Sequence, residues 1–312
     1  MLLDPLERIA VSSVGWVEPG KLWVLNTDTG RAHIEELERA RYLSLRQGNH
    51  RYFSAAHQYE EDKFAVTVHH FDNPGMVLAR CRIEGNDARF EGMPAVWEHV
   101  PRHYTRTSRS NREINYSLVI VDPVIGATSQ ILKWFDGYDK MYQSVLGATE
   151  IPGRPYVLIA VQRSSTIILH DPAAKRKVGE ISLADRGGNP GLYFRRTANE
   201  LWADDYDTLL KLDSQDWAVI AKRRLQLGVP DTTGLTAESR QFIGDFTFTS
   251  DESFCCVARP FSGDVIALDP TNMKTVAIAK LGRQPMQVAA LRDGTVYARD
   301  WMSGDLLKGQ LK

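Results

Sequence analysis

The sequence has few cysteines, no long apolar run and almost no net charge, and each shortage excludes a class of protein. Its three cysteines, Cys81, Cys255 and Cys256, lack the spacing of zinc ligands and are too few for a disulfide framework. No stretch approaches the roughly 18 apolar residues that a membrane-spanning helix needs. The N-terminal segment carries charges and a proline where the apolar part of a secretion signal would lie, so we expect a cytoplasmic protein with no membrane span.

The charge balance argues against nucleic acid as a partner. Lys and Arg number 38, Asp and Glu number 39, and the formal net charge is −1. Without a positive field the chain is not expected to be drawn to duplex DNA. Residues 102–113 have a local surplus of arginine that would suit RNA, but we interpret this segment as a solvated hairpin, and nucleic acid binding is not favoured.

Motifs of several common enzyme classes are also absent. The sequence contains no GxSxG nucleophile elbow, no HExxH zinc motif, no GxxxxGK[ST] phosphate loop, and no GxGxxG between a strand and a helix. His99 and His103 have the spacing of two metal ligands on one helical face, but Pro101 between them disfavours a helix. No metal site and no cofactor are therefore predicted.

The most informative feature of the sequence is a repeat of about 45 residues. Each unit contains a short apolar run that leads into a turn, often at Asp. These runs begin at Lys21, Lys63, Tyr116, Thr166, Thr208, Val265 and Leu306. A polar turn and an aromatic or β-branched run precede most of them, and another strand-like segment follows most of them. Four short strands in each unit are typical of a β-propeller blade.

The repeats predict an all-β fold: a seven-bladed β-propeller of four-stranded antiparallel blades, built as a single domain from residues 1–312. One small sheet cannot bury both of its faces, so the blades must stack around an axis. Because the last unit ends inside its third strand, we expect N-terminal residues to complete it and close the ring. The polar segment 227–241 is predicted to be an exposed loop.

The turn-then-strand units and the Asp-Pro turns resemble seven-bladed propellers of the YVTN type and the WD-repeat-like type over essentially the whole chain. The Asp-Pro turns lie at 122–123, 171–172 and 269–270. The Gly-His and Trp-Asp dipeptides of true WD repeats do not recur, so their buried hydrogen-bond network is not expected here. The resemblance implies the fold alone, because propellers include scaffolds, lactonases, lyases and glycan binders.

Arginines recur near the ends of corresponding strands, in the segments VQR, VAR and YAR, and predict a ligand-binding face. A guanidinium group suits planar carboxylate or phosphate groups, and an exposed tryptophan in a turn is typical of a partner contact. The candidate binding residues are Arg163, Arg259, Arg299, Trp301, Arg109, Arg112 and His57. The alternative is that the arginines form structural ion pairs with aspartates of neighbouring blades, namely Asp204, Asp205, Asp264, Asp300 or Asp305.

These observations favour a noncatalytic binding module or scaffold that recognises an anionic ligand or an acidic protein segment on an Arg-rich face. Its partner would be a protein or a small anionic ligand. The alternative hypothesis is a propeller hydrolase or lyase with a His/carboxylate site at the mouth of the channel. His57 would be the central residue of that site, because it lies beside the acidic segment 60–62.

Overall fold

The structure is a computed structural model that describes residues 1–14, 21–36, 41–47, 51–60, 63–84, 87–100, 102–108, 116–122, 126–131, 145–161, 165–183, 191–226 and 242–312. Within these ranges the chain forms β-strands and one 3-10 helix, Pro94–His99. No helix in the described ranges has the length and apolar character needed to cross a bilayer. Contacts between residues divide the chain into two compact units, 1–140 and 141–312. The assignment of residues 1–312 to a single domain stays a prediction.

In the first unit the described strands form three antiparallel sheets, in the orders β1-β2-β3-β4, β5-β6-β7-β8-β9 and β10-β11-β12. The strands are β1 (Leu2–Leu3), β2 (Ile9–Val14), β3 (Lys21–Asn26), β4 (Ala32–Glu36), β5 (Arg41–Gln47), β6 (Tyr52–Glu60), β7 (Lys63–His70), β8 (Asn73–Glu84), β9 (Asp87–Gly92), β10 (His103–Ser108), β11 (Tyr116–Asp122) and β12 (Gly126–Ile131). Within each sheet, strands that are consecutive in the chain pair with one another, so every sheet is a simple meander.

In the second unit the described strands form four antiparallel meanders, in the orders β13-β14-β15-β16, β17-β18-β19-β20, β21-β22-β23-β24 and β25-β26-β27. The strands are β13 (Val145–Glu150), β14 (Val157–Val161), β15 (Thr166–Asp171), β16 (Arg176–Ser182), β17 (Leu192–Arg195), β18 (Glu200–Asp205), β19 (Thr208–Asp213), β20 (Val219–Arg224), β21 (Asp245–Phe248), β22 (Cys255–Arg259), β23 (Asp264–Leu268), β24 (Thr275–Lys280), β25 (Pro285–Ala290), β26 (Thr295–Asp300) and β27 (Leu306–Gln310).

Burial in the second unit falls sharply at the outer strand of each four-stranded sheet. Every residue of β23 is buried, whereas most of β24 is exposed. A run such as VIAL is apolar on both faces, so it forms a strand that neighbouring sheets cover on both sides. The outer strands β16, β20 and β24 instead carry lysine or arginine, and charge on an edge strand discourages pairing with another chain.

Neighbouring sheets of the second unit share apolar cores. Leu158 packs in one cluster with Leu210 of the next sheet, and Trp202 packs with Phe248 of the sheet after it. Cys256 lies in a third cluster, between β21–β24 and β25–β27, where burial raises the pKa of its thiol to about 12. Each sheet therefore covers a face that its neighbour could not bury alone, as the repeat predicts.

The prediction of seven four-stranded blades is wrong. Among the described residues five sheets have four or more strands and two have only three. The sheet β5–β9 gains a fifth strand because β8, twelve residues long, turns back into β9. Gly92 ends β9 at φ 90°, against the carbonyl of Leu78, where a Cβ would lie 2.4 Å from the oxygen.

The expected completion of the C-terminal sheet by N-terminal residues is also wrong among the described strands. The N-terminal strand β1 pairs with β2, and Leu2 packs against the core of its own unit. The C-terminal strand β27 pairs with β26. Beyond β27, the backbone of Lys312 exchanges two hydrogen bonds with Ile278 of β24, at 3.1 and 3.3 Å. The N-terminal apolar residues are thus used within the first sheet, which the repeat spacing could not reveal.

Candidate binding rim of the second unit

Several turns and connections meet at one end of the sheets of the second unit. We call this surface the Trp301 rim and define it as residues 206–207, 242–244, 260–263, 281–284 and 301–305. The strand residues that border these segments, Arg224, Asp264, Lys280 and Asp300, are included in it. In a meander, alternate turns lie at the same end of the sheet, and hydrogen bonds join the turns of neighbouring sheets. The Trp301 amide donates to the Gln284 carbonyl at 2.8 Å, and the Ile243 amide donates to the Tyr206 carbonyl at 2.6 Å. The rim is therefore continuous across three sheets.

Arg259 lies at the end of β22 and faces Asp264, its direct cross-strand partner in β23. Its Nε and Nη2 donate to the two oxygens of Asp264 at 2.7 and 2.8 Å, and its Nη1 donates to the Gln226 carbonyl at 2.6 Å. Lys280 adds a third contact to the same carboxylate at 2.7 Å. Arg259 thus forms a structural ion pair within one hairpin, rather than between neighbouring blades as the alternative expected, and its planar fork is already occupied.

Arg299 lies at the end of β26 and is only 8% exposed. Its Nε donates to Gln287 at 3.3 Å. Burial lowers the pKa of Arg299, and the nearby carboxylates of Asp300 and Asp245 oppose that shift. Arg299 is therefore inside the unit, beneath the rim, rather than on the surface where a partner would first touch.

Trp301 belongs to a cluster of three aromatic rings that come from three separate segments of the rim. Its ring lies 5.3 Å from that of Phe242 and 6.4 Å from that of Phe261, and the two phenylalanine rings are 5.1 Å apart. All three pairs are edge-to-face, which is a favourable geometry for aromatic rings. Trp301 remains 41% exposed and the next residue, Met302, is 78% exposed. The cluster therefore presents apolar surface to solvent.

The rim displays its cations and buries most of its carboxylates. The side chain of Asp264 is 0% exposed, whereas that of its partner Lys280 is 72% exposed. The same arrangement recurs between Asp207, at 12%, and Arg224, at 67%. One further pair, Arg283 with Asp305, is half-exposed at both ends and 2.6 Å long. A ligand approaching this rim meets mainly positive charge around an aromatic cluster.

The carboxylate of Asp300 in the rim accepts its hydrogen bonds from nearby backbone amides. Its Oδ1 accepts hydrogen bonds from the amides of Met302 and Ser303, and its Oδ2 accepts one from Gln284. Burial raises the pKa of Asp300, but the hydrogen bonds from Ser303 and Gln284 outweigh it, so the pKa lies below its ordinary value. The carboxylate holds the turn that carries Trp301 and takes its bonds from the turn rather than from a ligand.

Two carboxylates beneath the rim were not among the predicted binding residues. Asp204 is the next-to-last residue of β18 and accepts the Gly191 amide at 2.7 Å. Burial raises the pKa of Asp204 to about 8, and nearby Asp245 and Asp205 add to the shift. The pKa of Asp245 is also raised, mainly by burial. A strand-end Asp that becomes buried in this way gives no signal in the repeat pattern.

His57 lies in the first unit, on β6, and is 7% exposed. Its Nδ1 has no hydrogen-bond partner among the described residues. Burial lowers the pKa of His57 to about 4, and the positive charge of Arg80 and the neighbouring His69 lower it further. A neutral imidazole beside a guanidinium differs from the His/carboxylate pair that the hydrolase hypothesis requires.

The remaining predicted residues, Arg163, Arg109 and Arg112, lie outside the described residues, as does the predicted loop 227–241. The structure therefore brings Arg259, Arg299 and Trp301 to one end of the second unit and places His57 in the first unit. It adds Phe242, Lys280 and Arg224, which sequence reasoning missed. Their positions depend on which turns meet across sheets, and no local motif encodes that.

The opposite end of the sheets carries a small cavity of about 240 Å³. The cavity is lined by Ile151, Pro152, Gly153, Arg154, Asn199, Ser214 and Gln215. Arg154 donates to the Ser214 carbonyl at 2.8 Å, so its guanidinium already joins two neighbouring sheets. Both the volume and the occupied arginine make this end a weaker candidate than the Trp301 rim.

No family model matches the sequence, and no curated protein matches it. Solved structures do match. The β-propeller domain of Cps50 (Swd1) from Myceliophteria thermophila has a TM-score of 0.64 at 11% identity, with 100% of this chain and 95% of that chain covered. A chain in the Mitotic Checkpoint Complex has a TM-score of 0.62 at 8% identity, with 99% and 85% covered.

A third match is a protein from Bacteroides fragilis assigned as a 6-phosphogluconolactonase, with a TM-score of 0.60 at 13% identity and 97% and 94% coverage. At such low identities a similarity shows the fold and leaves the function open. The chain has a β-propeller fold, and the resemblance to β-propellers predicted from its sequence is confirmed at the level of the fold.

Proposed function

We propose that the chain is a noncatalytic protein-binding module that recognises an acidic protein segment through the Trp301 rim. The observation that carries this proposal is the unequal exposure of the ion pairs. Lys280 and Arg224 are largely exposed while their carboxylate partners are buried, so the pairs present positive charge to a partner. An acidic segment would neutralise that charge at a surface that already contains exposed aromatic groups.

The fold supports a binding role. A β-propeller presents turns from several sheets at each end, and binding residues are commonly carried on loops that a rigid scaffold positions. One of the structurally similar chains belongs to the Mitotic Checkpoint Complex, an assembly of several proteins. The cytoplasmic location and a scaffold role, both expected from the sequence, belong to the same proposal.

The proposal is tested with a fluorescein-labelled peptide of nine glutamates, whose binding is followed by fluorescence anisotropy. We expect binding that weakens as salt is raised, because the contacts are charge pairs near the surface. The double variant Lys280→Gln and Arg224→Gln should weaken binding about tenfold or more, since each lost charge contact costs on the order of 1 kcal/mol. No binding up to about 1 mM peptide would overturn the proposal.

A matched control removes the same amount of charge from the opposite end of the sheets. Lys274 follows the turn between β23 and β24, and Arg176 begins β16; both are exposed. The double variant Lys274→Gln and Arg176→Gln has the same net charge as the rim variant. It should bind the peptide as the unmodified chain does. Equal weakening by both double variants would mean that net charge, and no particular rim, attracts the peptide.

A further inference from the structure

The aromatic cluster of the Trp301 rim has a geometry that distinguishes two kinds of ligand. An aromatic cage that binds a cation holds its rings apart, with the cation about 6 Å or less from each ring centre. Here the three ring centroids are 5.1, 5.3 and 6.4 Å from one another, so the rings fill the space between them. The cluster is closed to a cation and offers only its outer surface.

That outer surface is apolar and comes from adjacent residues. Trp301 is 41% exposed and Met302 is 78% exposed, both in the turn between β26 and β27. Hydrogen bonds from the amides of Met302 and Ser303 to Asp300 hold the turn in shape. A partly exposed aromatic ring on a hydrogen-bonded turn is typical of residues that carry much of the energy of a protein interface.

Cations lie beside this apolar surface. Arg283 donates to Ser303, in the same turn as Trp301, at 3.2 Å. Lys280 donates to the carboxylate of Asp264, which also accepts a hydrogen bond from Arg259. Arg259 lies two residues before Phe261 in the sequence. The aromatic surface is thus bordered by exposed positive charge contributed by β24 and by the connection that follows it.

Resting on the proposed function, we infer that the recognised segment carries a large apolar side chain with carboxylates next to it in sequence. The apolar side chain would pack on Trp301 and Met302, while the carboxylates would face Lys280 and Arg283. A purely acidic segment would leave the aromatic surface exposed to water. A purely apolar segment would offer no carboxylate to Lys280 and Arg283. The partner is therefore a protein segment that is acidic and also contains phenylalanine or a side chain of similar size.

The test uses three labelled nine-residue peptides. The first has phenylalanine between two runs of four glutamates, the second has alanine at the centre, and the third has phenylalanine between two runs of four lysines. We expect the first to bind about tenfold more tightly than the second, and the third to show no binding. Trp301→Ala should abolish the advantage of phenylalanine over alanine, so that the two glutamate peptides bind this variant with the same affinity.

Phe254→Ala is the matched control, because Phe254 is an exposed aromatic residue, 37% exposed, in the turn between β21 and β22 at the other end of the sheet. It should leave the affinities for all three peptides unchanged. Equal affinity for the phenylalanine and alanine peptides would overturn the inference while the proposed function stands. If neither glutamate peptide binds, the proposed function itself fails.

Two further outcomes would assign the surface to another occupant. Tighter binding of oligouridylate than of the glutamate–phenylalanine peptide would overturn the choice of a protein segment. A concentration-dependent dimer that Trp301→Ala abolishes, measured by sedimentation without peptide, would assign the aromatic surface to a second copy of this chain.

Discussion

At the scale of single residues, Asp264 determines how charge is displayed at the Trp301 rim. It is fully buried and holds both Arg259 and Lys280. Asp264→Ala would leave the guanidinium of Arg259, 15% exposed, without its carboxylate. Because an unpaired buried charge is costly, we expect the free energy of unfolding to fall by about 3 kcal/mol, measured by urea denaturation.

The exposed pair Arg283–Asp305 provides the comparison for that prediction. Both side chains are about half-exposed, at 52% and 51%, and their ion pair is screened by water and salt. Asp305→Ala should therefore lower the free energy of unfolding by less than about 1 kcal/mol. A loss as large as that of Asp264→Ala would contradict the burial argument.

His57 and His69, both in the first unit, make the stability of the folded chain depend on pH. Burial lowers the pKa of each to about 4 from an ordinary value of 6.5. Between these two values the unfolded chain binds more protons than the folded chain, so stability is full above pH 6.5 and falls as the pH drops toward 4. His57→Phe removes one such group. When the pH is lowered from 7.5 to 5, both chains should lose unfolding free energy. The loss in the variant should be smaller than the loss in the unmodified chain by about 2 kcal/mol.

That comparison would fail if the two chains lost stability in parallel over this pH range. The substitution suits the site because Nδ1 of His57 has no hydrogen-bond partner among the described residues, so an apolar ring of similar size loses no bond from that atom.

Asp204 has the opposite dependence. Its pKa is raised to about 8 from 3.8, so the folded chain keeps this proton where the unfolded chain has lost it. The contribution to stability is full below pH 3.8 and declines as the pH rises through 8. Asp204→Asn keeps an oxygen for the Gly191 amide and removes the titration. Between pH 7 and pH 9 the free energy of unfolding, measured by urea denaturation, should fall by about 1 kcal/mol more in the unmodified chain than in the variant. If the difference in unfolding free energy between the two chains were the same at both pH values, the raised pKa would be contradicted.

At the scale of elements, Glu252 joins two neighbouring sheets of the second unit. It lies in the turn between β21 and β22, and its carboxylate accepts hydrogen bonds from the backbone of Arg196 and Thr197, at 3.2 and 3.0 Å, in the turn between β17 and β18. The Thr197 hydroxyl donates to it as well. Glu252→Gln replaces an ionised acceptor with a neutral amide that cannot accept all three bonds. We expect a loss of about 2 kcal/mol in unfolding free energy and faster amide exchange at residues 196–199.

Glu180→Gln is the control for that substitution. Glu180 is exposed on the outer strand β16 and contacts Lys177. Its replacement should change stability by less than about 0.5 kcal/mol and leave exchange in residues 196–199 unaltered. If both variants behaved alike, Glu252 would not be joining the sheets.

The elements also show what the sequence could predict. Alternating and apolar runs fixed the middle strands, since β15, β19 and β23 coincide with the runs that begin at Thr166, Thr208 and Val265. The fifth strand β9 was not predicted, because its pairing depends on the length of β8. The N-terminal residues were assigned to the wrong sheet for a similar reason. Whether a segment forms a strand can be predicted from its own residues. Which strand it pairs with depends on apolar contacts that form only in the folded unit.

The same distinction applies to the candidate site. Trp301 and Arg259 were predicted because each stands at a recognisable turn. The ion pair of Arg259 with Asp264 follows from the register of one hairpin, whereas the sequence suggested pairing between neighbouring blades. Phe242 could not be predicted, because it reaches Trp301 from a connection between sheets that carries no repeat signal.

At the scale of the whole molecule, the fold is that of a β-propeller, and one surface of the second unit carries the features of a binding site. The propeller fold is shared with structures that differ in assigned role, including a 6-phosphogluconolactonase and a chain of the Mitotic Checkpoint Complex. A fold that supports such different proteins does not select a function. The exposed charge and aromatic groups of the Trp301 rim are the features that support the proposed binding role.

The most direct test of a binding rim is amide hydrogen exchange, followed by mass spectrometry, with and without the glutamate–phenylalanine peptide. We expect slower exchange on peptide addition in residues 260–263, 281–284 and 301–305. We expect no change in residues 196–199, 249–254 and 269–274 at the opposite end of the same sheets. Protection of that opposite end, or of the first unit, with the Trp301 rim unaffected would contradict a binding role for this rim.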